Sequence, residues 1–201
     1  MLYPLWVNRQ GSAATLATDN HTGYLPSRSM RIALAVLGSI VVVVLAVVLL
    51  GTRLPVGHVA TRVLRLNQAP QAVWAALTDF AGQATWRTDV SAVRRKEGSA
   101  RETWIEVGPG GELPFETTEM DPPRHLVRTI ADPSLPFGGK WTYDLAPDGT
   151  GTRLTITEDG EVYNPLFRFV SHYFRDQAAT IETVMQSLAT HFKEPARISP
   201  T

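Results

Sequence analysis

Apolar positions recur along this chain in three different rhythms. Residues 32–52 carry no charge over 21 positions, and the stretch IALAVLGSIVVVVLAVVLL (32–50) is apolar on every side of a helix. At about 1.5 Å per residue such a helix reaches roughly 31 Å, close to the ~30 Å hydrocarbon core of a bilayer. Its backbone amides are satisfied internally, so the β-branched run at 41–44 is tolerated in lipid. A helix without a polar stripe is a poor core element for a domain this small. A cleaved leader fits less well, because the run exceeds the roughly 7–15 apolar residues of a signal peptide and no A-x-A-like site precedes Arg53. The expectation is an uncleaved single-pass anchor over residues 32–52.

Beyond the anchor the rhythm shortens. HVATRVLRLN (58–67) alternates imperfectly and reads as a strand. Pro70 then suits a first helical turn, and Ala72, Val73, Trp74, Ala76, Leu77 and Phe80 predict a short helix over 70–78. A further helical turn is expected at 82–86. Strand-like pieces follow at 90–96, 101–107, 113–119, 125–131, 139–146 and 152–162, divided by Gly- and Pro-rich turns. Asp148-Gly149 is a hairpin signal between the last two. Trp141, Tyr143 and Leu145 share one face of their strand, and Leu154, Ile156 and Glu158 share one face of theirs. The third rhythm is helical. Asn164 is placed to cap, Pro165 to open, and Leu166, Val170, Tyr173, Phe174, Ile181, Met185, Leu188 and Phe192 recur as one stripe until Pro195. The predicted class is α+β: a curved antiparallel sheet wrapped around a long C-terminal helix, with an elongated space between them.

Charge and composition narrow the functions. The 149 residues after the anchor hold 16 Lys and Arg against 18 Asp and Glu, a balance that supplies no field for nucleic acid. The absence of cysteine excludes disulfides, thiolate catalysis and Cys-ligated metal sites. Residues 1–31 lack a sustained period and are rich in small polar residues, so they read as a disordered tail, with Met30 as an alternative start. Asn20-His21-Thr22 fits a glycosylation sequon. Arg9, Arg28 and Arg31 precede the anchor and Arg53, Arg62 and Arg65 follow it. Arg28 and Arg31 lie nearer the span than Arg62 and Arg65, which favours an outside domain.

The order of elements and several of its words resemble the START-like superfamily, the SRPBCC or polyketide cyclase/dehydrase and lipid-transport group. The resemblance covers residues 58–192 within a domain expected over 56–194. It rests on APQAVWAALTDF (69–80), Trp86-Arg87, PPRHLV (122–127), LPFGGKW (135–141) and GTRLTITEDGEVYNP (151–165). The resemblance implies a helix-grip fold, an apolar molecule held between helix and sheet, and, by likeness to bacterial members with one N-terminal helix, an inner-membrane location. It does not select between carriers and enzymes.

No H-E-x-x-H, G-x-S-x-G or Walker A pattern occurs, and the five histidines stand at no mutual ligand spacing, so neither metal nor cofactor is expected. The glycines at 108–111 lack the lysine and helix of a phosphate loop. Trp86, Trp104, Phe115, Phe137, Trp141, Tyr143 and Tyr163 are candidate ligand-lining aromatics. Arg128 shares parity with Leu126 and Ile130, so it points inward to orient a polar ligand group or to pair with Glu158. Glu158, at the end of the last long strand, is a candidate acid or base or an ion-pair partner. Three readings follow: a membrane-anchored module that binds or transfers a hydrophobic small molecule or lipid; a cyclase or dehydratase using Glu158, Arg128 or Tyr143; and a non-catalytic structural partner at the membrane.

Overall fold

A computed structural model describes residues 27–174 and 176–201. Most of the expected disordered tail, and the sequon at Asn20, lie outside the described residues. The chain divides into two compact units, Met1–Val41 and Val42–Thr201. The apolar run forms one helix, α1 (Arg28–Arg53), which begins four residues before the uncharged stretch. Ser27 explains the early start, since its Oγ accepts a hydrogen bond from the Met30 amide at 3.3 Å. α1 is long and apolar enough to cross a membrane.

The rest is an α+β helix-grip domain. Its strands are β1 (Gly57–Leu66), β2 (Ala92–Arg95), β3 (Thr103–Gly108), β4 (Gly111–Asp121), β5 (His125–Ile130), β6 (Phe137–Asp148), β7 (Gly151–Val162) and β8 (Arg197–Ser199). They form one antiparallel sheet in the order β2-β3-β4-β5-β6-β7-β1-β8. The β6–β7 turn is the expected Asp-Gly hairpin, closed by the pair Asp148 and Gly151 with Gly149 at φ 60°. β8 was not expected; three residues rich in neither aromatics nor alternation carry no strand signal by themselves, and they pair along β1.

Helix α2 (Pro70–Thr78) opens on Pro70 and leads into a 3₁₀ turn at Ala81–Thr85, as the pattern predicts. The expected long C-terminal helix is two helices, α3 (Pro165–Phe174) and α4 (Ala179–His191). Asp176 re-starts the chain between them: its Oδ1 accepts the Ala178 amide at 2.9 Å and its carbonyl accepts the Ala179 amide at 3.2 Å. Such local Asx bonding competes with helix continuation.

Only α4 is gripped. Ile181, Met185 and Leu188 lie fully buried against Leu64, Leu154 and Ile156, with Val73 and Leu77 of α2 in the same core. Arg62 of β1 also holds α4, donating from Nε to Glu182 at 2.6 Å. The stripe expected to continue through Leu166, Val170, Tyr173 and Phe174 does not reach the sheet. These side chains are exposed, Tyr173 by 59% and Phe174 by 75%. Helical spacing is a property of the segment alone; once the chain turns at Asp176, α3 is free to present its stripe elsewhere.

Candidate functional site

Alternation on β3, β4, β5 and β6 sends Trp104, Glu106, Phe115, Thr117, Arg128, Trp141 and Tyr143 to one face of the sheet. The registers Trp104 with Phe115, Thr117 with Arg128, Arg128 with Trp141 and Leu126 with Tyr143 place them side by side. Phe80, after α2, closes over them, its ring 5.7 Å from that of Trp104. Between these aromatics lies a charged network. Arg128 Nη1 donates to Glu106 Oε1 at 2.5 Å, and Glu106 Oε2 stands 2.9 Å from Arg87 Nη2. Arg87 also donates to both oxygens of Asp89, at 3.0 and 2.5 Å, and to Gln83 Oε1 at 2.8 Å. Gln83 is fixed in turn through Nε2 to the Leu77 carbonyl.

The Arg128 side chain is 3% exposed and its guanidinium carbon lies 4.4 Å from the Phe80 ring centre and 5.0 Å from that of Phe115. Only Nη1 is satisfied. Nε and Nη2, which form one donor edge of the guanidinium fork, have no hydrogen-bond partner among the described residues. Thr117 Oγ1, on the paired residue of the next strand, is likewise buried without a partner. Each such group costs about 1–3 kcal/mol when left unmade, and the three atoms stand on neighbouring, paired residues of β4 and β5.

Electrostatics agree with burial. Desolvation pushes the Tyr143 hydroxyl up to about 12, although the nearby Arg87 and Arg128 charges oppose it. Burial alone would lower the Arg87 guanidinium, but the Asp89 hydrogen bond and the charges of Glu106 and Asp89 outweigh it, and the net shift is upward. The four formal charges of Arg87, Arg128, Asp89 and Glu106 cancel.

Of the residues singled out from sequence, Trp104, Phe115, Arg128, Trp141 and Tyr143 are brought together. The pairing of Arg128 with Glu158 is not formed; Arg128 turns towards β3 and bonds Glu106 instead, although β3 and β7 each lie two strands from β5. Glu158 Oε1 stands 3.9 Å from His58 Nε2, and burial lowers the His58 pKa. Trp86 packs instead against His191 of α4, with ring centres 5.7 Å apart. Phe137 and Tyr163 are exposed and line a surface cleft of about 720 Å³ with Gly139, Lys140 and Asp159. Gly139 is required there: at φ 131°, a side chain would meet the Asp159 carbonyl oxygen at 2.3 Å. The cleft lies mainly on the other face of the sheet from Arg128, that of the paired row Glu116, Thr129, Lys140 and Asp159, with Ile130 at its edge. Among the described residues no group of three or more His, Asp and Glu could hold a metal ion.

Sequence reading missed Phe80, Asp89 and Glu106. Glu106 did carry a signal, because it shares inward parity with Trp104. Asp89 carried none, since its role depends on a loop conformation.

The model of the polyketide cyclase/dehydrase and lipid transport family matches residues 58–193. A START superfamily protein from Mycobacterium smegmatis has the same fold, with 12% identity over 68% of this chain and 97% of its own and a TM-score of 0.53. A conserved protein from Geobacillus kaustophilus is 15% identical over 70% and 99%, with a TM-score of 0.52. A Mesorhizobium loti protein is 18% identical over 68% and 96%, with a TM-score of 0.50. No curated protein matches the sequence. At these identities the solved structures speak for the fold alone, while the family model covers the whole sheet up to β7 and both α2 and α4. The chain belongs to the polyketide cyclase/dehydrase and lipid transport family.

Proposed function

We propose that the domain binds a hydrophobic small molecule or lipid that carries one neutral oxygen acceptor, and that it does so at a membrane to which α1 anchors it. The observation that carries this reading is the unpartnered Nε/Nη2 edge of Arg128, buried between Phe80 and Phe115. A ligand carbonyl or ester oxygen would accept from that edge, with its apolar body against Phe80, Phe115, Trp104 and Trp141. Charge selects against a carboxylate. The network is already balanced, and an added buried anion would cost several kcal/mol without a further cation to match it.

A Tyr143 hydroxyl held near 12 acts as a neutral hydrogen-bonding group rather than as a base at neutral pH.

The test uses the full chain in detergent with a long-chain methyl ester, a long-chain ketone and the free fatty acid of equal length. Selective binding to the native state raises the unfolding temperature, by an amount equivalent to about 2.7 kcal/mol when ligand is at 100 times Kd. The ester and the ketone are expected to stabilise the wild type more than the acid does, and Arg128→Met is expected to remove that preference. Equal stabilisation of wild type and Arg128→Met, or none by any of the three, would reject this reading.

A further inference from the structure

Helix α3 is built inside out for a helix in water. At about 100° per residue, Leu166, Phe167, Phe169, Val170, Tyr173 and Phe174 fall within one arc of about 160°, while Arg168, Ser171 and His172 occupy the other side. The polar side is the one tied to the protein. Arg168 donates from Nε to the Val162 carbonyl at 2.9 Å and from Nη2 to the Tyr163 carbonyl at 3.0 Å. The apolar side is the one left outward: Leu166, Phe167, Val170, Tyr173 and Phe174 are all exposed, and no residue of α3 is buried. A face of this size with no cover among the described residues is unusual in a protein surrounded by water alone.

The position of α3 identifies what covers it. Arg168 Nη1 also donates to the carbonyls of Gly51 and Leu54, at 3.3 and 3.2 Å, and so caps the end of α1. Gly51, the one buried residue of α1, lets the backbone of Pro165 approach so closely that a side chain there would lie 2.0 Å from its carbonyl oxygen. The start of α3 is thus fixed to the turn where the uncharged run of α1 ends. That turn is the level of the lipid headgroups if α1 spans a bilayer.

We infer that α3 lies in the plane of the membrane as an interfacial helix, its Phe- and Tyr-rich face sunk into the leaflet from which α1 emerges. The occupant of the face is lipid. This inference rests on the reading of α1 as a membrane span. Amphipathic helices of this kind bury the apolar face about 5–10 Å into the boundary of headgroups and acyl chains. Seated so, α3 holds the domain against the bilayer at a second point, and Phe167, Val170 and Phe174 touch the lipid directly.

The natural chain has no cysteine, so single cysteines can be placed and labelled without other changes. Val170→Cys and Phe174→Cys report the apolar face, His172→Cys the polar one, and Val43→Cys the middle of α1. Each full-length variant is labelled with a nitroxide and reconstituted in vesicles of equal parts phosphatidylcholine and phosphatidylglycerol. Collision rates with oxygen, which partitions into lipid, and with a water-soluble nickel chelate are then compared. The ratio of oxygen to chelate collisions is expected to be several-fold higher at 170 and 174 than at 172, and highest at 43. High chelate access at 170 and 174 with lipid exposure at 43 would overturn the inference and leave the anchor intact. Low access to both reagents at 170 and 174 would mean that protein covers the face, and would overturn it equally. Chelate access at 43 would remove the membrane span and the inference with it.

Discussion

Glu106 is the single carboxylate between two buried guanidiniums, and replacing it tests the site most directly. It is 7% exposed and meets Arg128 at 2.5 Å and Arg87 at 2.9 Å. Arg87 keeps Asp89 when Glu106 is changed, but Arg128 has no second carboxylate partner among the described residues. Glu106→Gln preserves volume and leaves one carbonyl acceptor, yet strands the Arg128 charge between Phe80 and Phe115. Removing one member of a buried pair costs about 3–5 kcal/mol, and the remaining acceptor places the loss near the lower end, about 3 kcal/mol. For a domain of about 150 residues that corresponds to a fall of about 6–12 °C in Tm. The assay is urea unfolding of the full chain in detergent, followed by tryptophan fluorescence, for which Trp74, Trp86, Trp104 and Trp141 report from the domain. Adding Arg128→Met removes the stranded cation, so the double variant is expected to recover most of the loss. A single variant within about 0.5 kcal/mol of wild type, the range of ordinary surface changes, would refute the buried-network reasoning. So would a double variant whose losses simply add.

Other outcomes follow from the same geometry. Ile181→Ala, in the fully buried face of α4, should cost about 2–5 kcal/mol by urea unfolding, whereas Val170→Ala on α3 should cost under about 0.5 kcal/mol. Gly51→Ala should lower Tm even though alanine is favoured by about 1 kcal/mol within a helix, because the new methyl group meets Pro165; an unchanged or raised Tm would show that α3 is not seated there. The hydrogen bond from His125 Nδ1 to Asp144 at 2.7 Å raises the His125 pKa above its ordinary value, with desolvation opposing it. Its stabilisation is therefore complete below pH 6.5 and fades as pH rises through the folded value. Asp144→Asn should lower the His125 pKa measured by NMR titration and flatten that part of the pH–stability curve.

Strand and helix periods were legible because each is a property of a short segment. The alternation of Trp141, Tyr143 and Leu145, the Asp148-Gly149 turn and the Asn164-Pro165 helix start all needed only near neighbours to be read, and the uncharged run of α1 declared its length and its apolar character in the same way. The inward direction of Arg128 was also readable, since parity with Leu126 and Ile130 decides it. Its partner was not. Glu106 and Glu158 both face inward from strands two removed from β5, and which of them meets Arg128 is set by long-range packing that no local pattern encodes. The C-terminal stripe shows the same limit more sharply. Spacing placed Leu166, Val170, Tyr173 and Phe174 on one face with Ile181, Met185 and Leu188, but a face says nothing about what it meets. The turn at Asp176 and the seat of Pro165 on Gly51 divided that stripe, giving α4 to the sheet and leaving α3 outward. Periodicity determines that an apolar face must be covered, and only the packing of distant segments decides whether sheet or lipid covers it.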